Sequence, residues 1–536
     1  MSPPTGSGIS RSPQPRSAAP EEFVAAGHVQ WRFRRHLVSA AVLTAVLSVL
    51  LIFAWLWLWP TVQLRPATQS TEPKILYAWV QMLPDTKDGK SRGLLARAIF
   101  AEGSRCPGVQ EGGRALPMRQ ITPPVRSAFP VVLCEAELDG DTPAQIGERK
   151  LPVRPAEPND IVVIGDTGCR ITYYSQEQSC GDSENWPFIK NARRAAADIT
   201  PQSFVLHLGD LHYREHACAD NNPYCGGSPY GDNWQTWEAD FFAPADRLLR
   251  AAPWIVMRGN HENCQRAGAG WLFFFALPGQ RTNSDACEDN IRMAKYSIGE
   301  TDGGKSRPRL LAVMDTSNEG SRFGKTKERD DGYLKSLDEL GAAGSEIWLA
   351  VHQPLWLRAM SGYTDGNKKS GEGEGVCEKL REYDVLSGIR KRFEATAGKR
   401  LARLVLAGDT HVFQFFRPTT AEMPIQIVAG NGGTQLDKLH ARAEPAAPCP
   451  EVDDNGEIKA AAIVETKLEQ EVKSFAVTGT AQTFARFGYT VLHRAGPIWS
   501  ARQFDVDGVQ FSQCDFSEAA DSSGSGPPLT CSTMKK

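Results

Sequence analysis

The chain has no cysteine in its first hundred residues and no Cys-x-x-Cys spacing anywhere. That excludes a zinc site built on paired thiolates. No charge of one sign dominates. With 60 Lys+Arg against 63 Asp+Glu, the net charge is −3, which gives no global pull toward nucleic acid, and none is expected as a partner. No internal repeat is present, so a repeat architecture is excluded. One stretch lacks charge altogether: Leu37 to Trp59, 23 residues. At about 1.5 Å rise per residue it crosses a hydrocarbon core of about 30 Å. Arg32, Arg34 and Arg35 precede it, and Trp55, Trp57 and Trp59 gather at its far end, where amphipathic rings favour the interface. The run exceeds the ~7–15 apolar residues of a cleaved signal peptide, and no A-x-A site follows directly. The pattern predicts an uncleaved transmembrane anchor over 37–59, with the N-terminus in the cytoplasm.

What is present begins after that segment. The 536 residues are too many for one ordinary domain. Twelve cysteines lie from Cys106 to Cys531, spread widely and even in number, which reads as disulfides in an oxidising compartment. Proximity in sequence suggests Cys106–Cys134, Cys169–Cys180, Cys218–Cys225 and Cys264–Cys287. The body of the protein is then expected outside the cytoplasm, in the periplasm if the source is bacterial, either anchored or secreted.

Residues 1–36 are rich in Pro, Ser, Gly and Ala and read as a disordered cytoplasmic tail. Residues 60–71 read as a linker. From 72 to 157, short apolar runs separated by Gly, Pro and Asp predict a small all-β, sandwich-like domain. From 158 to 513 the texture changes to continuous apolar runs, as in strands buried on both faces, with helical stretches between some of them. Residues 360–376 read as a mobile loop, 437–480 as an insertion, and 514–536 as a tail tied down by Cys531. The body is α/β or α+β.

Five of those apolar runs end in polar groups. They are Gly165-Asp166-Thr167-Gly168, Gly209-Asp210-Leu211-His212-Tyr213, Gly259-Asn260-His261-Glu262, His352, and Gly408-Asp409-Thr410-His411. Any one of them is an ordinary turn or a satisfied polar residue. Five in succession, each just past a strand, point to a metal site, because ligands gather at strand C-termini. The donors are carboxylate, amide and imidazole, which suit hard or borderline cations. Two cations ~3.5–4 Å apart need a shared anionic ligand and clamp both oxygens of a displacement at phosphorus.

The series D-x-G, G-D-x-x-Y, G-N-H-E, apolar-x-x-H and G-x-x-H resembles the calcineurin-like metallophosphoesterase superfamily, and within it the purple acid phosphatases. The likeness spans about 160–435. It implies an α+β fold, a four-layer β/α/α/β sandwich, with a small N-terminal all-β domain like that of plant members. It implies two metal ions, Fe paired with Fe, Mn or Zn. Asp166, Asp210, Tyr213 and His411 would hold one, and Asp210, Asn260, His352 and Asp409 the other. Gly168 stands where members without the tyrosine carry a histidine, so Tyr213 can supply the missing ligand, with His212 as its rival. Asp409 stands where the family has a histidine in G-H-x-H; it either ligates or holds His352 or a bound water. With it the ligands carry four negative groups, which favours Mn or Fe over Zn at the second metal.

The implied activity is metal-dependent hydrolysis of a phosphate monoester, with water activated on the metal pair attacking phosphorus. His261 is the expected catalytic residue, binding phosphate or protonating the leaving group. Glu262 is expected to orient it, Arg214 and Arg258 to pair with phosphate oxygens, and His207 to be structural. The expected partner is a phosphorylated small molecule or other phosphoester. Two alternatives stand beside this reading: a phosphodiesterase or lipid-pyrophosphate hydrolase at the membrane surface, and a non-catalytic, metal-stabilised binding module.

Overall fold

Ile161–Ile164, Phe204–Leu206, Ile347–Ala350 and Leu404–Leu406 are unbroken apolar runs. In the computed structural model each lies in a strand covered on both faces. The structure describes residues 73–536 apart from 87–92, 172–177, 281–286, 288–292, 301–307, 320–326, 342–345, 357–385, 396–400, 421–422, 438–466, 475–476, 518–530 and 534–536. The tail, the anchor at 37–59, the linker, the loop at 360–376, most of the insertion at 437–480, Cys377 and Cys449 lie outside the described residues. Among the described residues no helix is long and apolar enough to cross a membrane.

Two large mixed sheets form the body. The first has 11 strands, with Asp160–Ile164, Ser203–His207 and Trp254–Val256 parallel at its centre. Antiparallel strands Gly488–Ala495, Ile498–Asp505 and Gln510–Ser517 extend it on one side. On the other side Ile75–Met82 pairs parallel with Trp254–Val256, followed by Leu94–Ala101 and Val131–Leu138. The segment 72–157 is all-β as expected. Its long strands, however, continue the large sheet, and among the described residues only a four-stranded patch from Gly108 to Leu151 stands apart. Pairing satisfies the open edge of Trp254–Val256, which a freestanding sandwich would leave bare.

The second sheet has eight strands. Pro308–Met314, Glu346–Ala350, Leu404–Ala407 and Ile425–Ala429 run parallel within it.

The layer order corrects the expectation from sequence. Alternate residues of both sheets, such as Ile161, Val163, Phe204 and Leu206 with Leu311, Trp348, Leu404 and Leu406, share one apolar core to which, among the described residues, no helix contributes. The opposite face of the first sheet (Val162, Ile164, Val205) carries the helices Phe188–Ala197 and Ala243–Leu249. The opposite face of the second (Ala312, Leu349, Val405) carries Lys327–Gly341 and Ser387–Ala395. The order is therefore α/β/β/α, not β/α/α/β. These strands are apolar on both faces while the helices are apolar on one, so burial is complete only with the helices outside. Trp348 of one sheet meets Trp499 of the other edge to face at 4.7 Å. The strand C-termini of both sheets consequently open toward one cleft.

All four pairs suggested by proximity are disulfides, and Cys514–Cys531 ties down the tail. Three of them begin just after site loops, at Cys169, Cys218 and Cys264. Five disulfides fit an oxidising, extracytoplasmic setting.

Candidate metal centre

Each site acid follows a strand and a glycine, and the backbone turns sharply there. Asp166, Asp210 and Asp409 have φ of 54°, 58° and 64°, and are the non-glycine residues with positive φ among those described. That conformation costs an L-residue about 1–2 kcal/mol. Aspartate tolerates it best, and its confinement to these three positions puts the stored strain at the site. Gly259 is required for a different reason: a Cβ there would lie 2.1 Å from Asp210 Oδ1.

The turns aim the donors at one another. The Tyr213 hydroxyl donates to Asp210 Oδ2 at 2.7 Å and lies 2.8 Å from His411 Nε2. His411 Nε2 is 3.5 Å from Asp166 Oδ1. On the other side, Asn260 Oδ1 is 2.9 Å from His352 Nε2 and 3.2 Å from both Asp210 Oδ2 and Asp409 Oδ1. His352 Nε2 is also 3.2 Å from Asp210 Oδ1 and 3.9 Å from Asp409 Oδ1. Asp210 Oδ2 thus belongs to two clusters at once.

The donor set fits cations. Metal–ligand bonds of ~2.0–2.2 Å put neighbouring ligands roughly 3.0–3.4 Å apart, and the separations here, from 2.7 to 3.9 Å, bracket that range. Asp166 Oδ1 is buried with no hydrogen-bond partner. Asn260 presents its oxygen to three other acceptors, an arrangement a cation between them would favour; turned over, its NH2 would donate to all three instead. His352 Nδ1 donates to the Leu208 carbonyl at 2.7 Å and His411 Nδ1 to that of Gln435 at 2.7 Å. In both rings Nδ1 therefore carries the proton of that bond, and Nε2 faces inward. Donor atoms of Asp166, Asp210 and His352, all three buried, lie within 4.8 Å of one another, close enough to share an ion.

Electrostatics agree. Burial, then the Asp210 charge, raises the Asp166 carboxyl well above its usual range. Burial, then Asp210 and Asp166, raises the Tyr213 phenol. Burial works against protonated His352, but Asp210 outweighs it and carries its pKa to about 10. A buried knot of acids that recruits protons so strongly will accept cations in their place.

The structure brings together all eight expected residues, including His261. The His261 N–H donates to Asp210 Oδ1 at 2.9 Å, and its Nε2 is 4.0 Å from Asp210 Oδ2. Its ring stacks on Tyr213 at 3.7 Å. His212 turns away, with Nε2 3.1 Å from the Gly231 carbonyl and its ring against Trp237. His207 is structural, between Thr167 Oγ1 and the Gly209 N–H.

Three expectations change. Glu262 does not orient His261; its carboxylate accepts the N–H groups of Asp210, Leu211, His212 and Gly259 at 2.7–2.9 Å. Glu215 holds His261 instead, Oε1 to Nδ1 at 2.9 Å. Five residues past Asp210, this lone acid stood outside every motif. Arg258 and Arg214 are spent elsewhere, on Asp315 at 2.7 Å and Asp240 at 2.6 Å. Asp240, which the sequence did not single out, lies in a π-helical turn, Glu238–Phe242, and also accepts the Cys169 and Tyr213 N–H groups.

Calcineurin-like phosphoesterases match over residues 160–413. No curated protein matches the chain. A purple acid phosphatase from yellow lupin (Lupinus luteus) seeds is similar at 13% identity and TM-score 0.48, over 85% of this chain and 78% of that one. PhoD is similar at 12% and 0.48, over 84% and 91%. A dimetal phosphatase from Danio rerio is similar at 9% and 0.36, over 68% and 100%. The five motifs lie in family order inside residues 160–413, the span that matches calcineurin-like phosphoesterases, and that match supports a metal-dependent phosphoester hydrolase.

Proposed function

We propose that the protein hydrolyses phosphate monoesters on a dinuclear centre outside the cytoplasm, held near a membrane by the charge-free segment 37–59. The observation that carries this is Asp210 Oδ2, 2.7 Å from the Tyr213 hydroxyl in one cluster and 3.2 Å from Asn260 Oδ1 in the other. Asp166, Asp210, Tyr213 and His411 would hold one ion, and Asp210, Asn260, His352 and Asp409 the second. When bound, the pair supplies Lewis acidity to phosphoryl oxygens and makes water acidic enough to act as a nucleophile near neutral pH.

The chain's own residues do the rest. His261 holds a proton at Nε2, on the side facing Asp210, and gives it to the departing alkoxide as the phosphorus–oxygen bond breaks. Glu215 Oε1, 2.9 Å from Nδ1, fixes the ring's orientation through its charge. Stacking on Tyr213 fixes its plane. Glu262 keeps the 210–212 backbone in place, so the acid and the phenol stay aligned.

The oxygen-rich second set, with Asp409 in place of a histidine, supports Fe or Mn beside Fe rather than Zn. The test is metal analysis of purified protein together with turnover of aryl monophosphate against aryl diester. Two metals per chain with faster monoester turnover is expected. Faster diester turnover would replace the reading with the phosphodiesterase. Two metals without hydrolysis at any pH would replace it with a binding module. Ferric phenolate absorbs visible light, so iron-loaded Tyr213→Phe should lose its colour; unchanged absorption would move the ligand role elsewhere.

A further inference from the structure

A site this acidic must still admit a phosphate dianion. Four of its proposed ligands, Asp166, Asp210, Asp409 and Tyr213 as phenolate, are anionic. The aspartate at 409 adds a charge where the family carries a neutral imidazole. The two arginines that flank the motifs cannot offset this, since Asp315 and Asp240 hold them.

A third arginine is placed differently. Arg170 follows the first site loop by two residues and runs beside the second: the Ile171 N–H donates to the Tyr213 carbonyl at 3.1 Å, and Ile171 bridges to Arg214. Gln178 pins it from the other side. Gln178 Oε1 accepts the Arg170 N–H at 3.0 Å and the Gln435 N–H at 3.1 Å. Gln435 in turn offers its carbonyl to His411. One buried amide therefore sets the arginine and the metal-binding histidine at a common rim. The Arg170 Nε is buried with no hydrogen-bond partner, and no acid pairs with it among the described residues. A buried guanidinium nitrogen without a hydrogen-bond partner is costly unless an acceptor arrives.

We propose that Arg170 is the phosphate-binding residue of this site, donating to a non-reacting oxygen of the substrate and supplying the positive charge that Asp409 removes. This rests on the phosphoesterase reading, and the experiment separates the two. The metal-loaded full chain is titrated calorimetrically with inorganic phosphate, as wild type, Arg170→Ala and Arg170→Lys. Arg170→Ala should bind phosphate about tenfold to a hundredfold more weakly, the range of a charge-assisted hydrogen bond. Arg170→Lys should recover part of that, and metal content should stay unchanged in both. Michaelis constants for an aryl monophosphate should rise in step with the phosphate dissociation constants, with a smaller change in kcat. Equal phosphate affinity in wild type and Arg170→Ala overturns the proposal. So does loss of affinity accompanied by loss of metal and not relieved by lysine, which is the signature of a loop support. A wild type that binds phosphate through Arg170 but never turns over would keep this inference and sink the hydrolase reading.

Discussion

Acid should unfold this protein partly through His207. The side chain is fully buried between the first two site loops, with Nε2 3.0 Å from Thr167 Oγ1 and Nδ1 accepting the Gly209 N–H at 3.2 Å. That geometry requires the neutral ring, because a proton on Nδ1 would face another donor. Burial lowers its pKa from 6.5 to about 3. The folded value is depressed, so the stabilisation is whole above pH ~6.5 and drains away as pH falls toward 3. At pH 5 the gap of about 1.5 units between pH and the unfolded pKa is worth about 2 kcal/mol, at 1.36 kcal/mol per unit. At pH 4 it is worth about 3 kcal/mol. His207→Gln removes the titration and costs a packing penalty that does not depend on pH. Denaturant unfolding of both proteins at pH 7.5, 6, 5 and 4 isolates the effect, since every other group cancels in the difference. The wild type should lose about 2 kcal/mol more than the variant between pH 7.5 and pH 5. A stability gap that stays constant across that range would refute the reasoning.

Glu262→Ala leaves four buried N–H groups unpaired, at about 1–3 kcal/mol each before relaxation. It should destabilise the fold by several kcal/mol and abolish metal retention, read by urea unfolding and metal analysis. Arg97 lies buried against Glu135 at 3.2 Å and donates to the Phe274 carbonyl at 2.7 Å. Arg97→Met should cost about 3–5 kcal/mol, and Arg97→Met with Glu135→Leu less, because the single change removes the buried cation and leaves the exposed Arg119, at 2.6 Å, to offset the buried carboxylate; equal losses would contradict this. Glu215→Gln should slow alkyl phosphates about tenfold to a hundredfold and aryl phosphates, whose leaving groups need no proton, much less. A uniform loss across leaving groups would remove Glu215 from the orientation of His261.

The site was legible because its chemistry is local to each loop. An apolar run, a glycine and an acid at positions 165–166, 209–210 and 408–409 are a strand end and a left-handed turn, and both are encoded within a few residues. The resembled family's spacing favoured Tyr213 over His212, and the fold then turns His212 away toward Gly231 and Trp237. The close cysteine pairs were readable for the same reason. The partners of side chains were not. Whether Glu262 or Glu215 meets His261, and whether Arg258 and Arg214 are spent on Asp315 and Asp240, depends on loops that come together from distant segments. Asp240 and Gln178 carry no motif at all, because their work is to accept and donate backbone hydrogen bonds, which almost any polar residue in the right place could do.

The residues alone therefore determined the chemistry: oxygen and imidazole donors at five strand ends, the family they resemble, and an oxidised body following a charge-free segment. Only the tertiary structure decided that the helices lie outside paired sheets, that the N-terminal strands complete the first sheet, and that one carboxylate oxygen serves two clusters. The reason is physical. Local turns and donor types follow from short-range sterics and bonding, whereas layer order and hydrogen-bond partnership are settled by burying every apolar face at once.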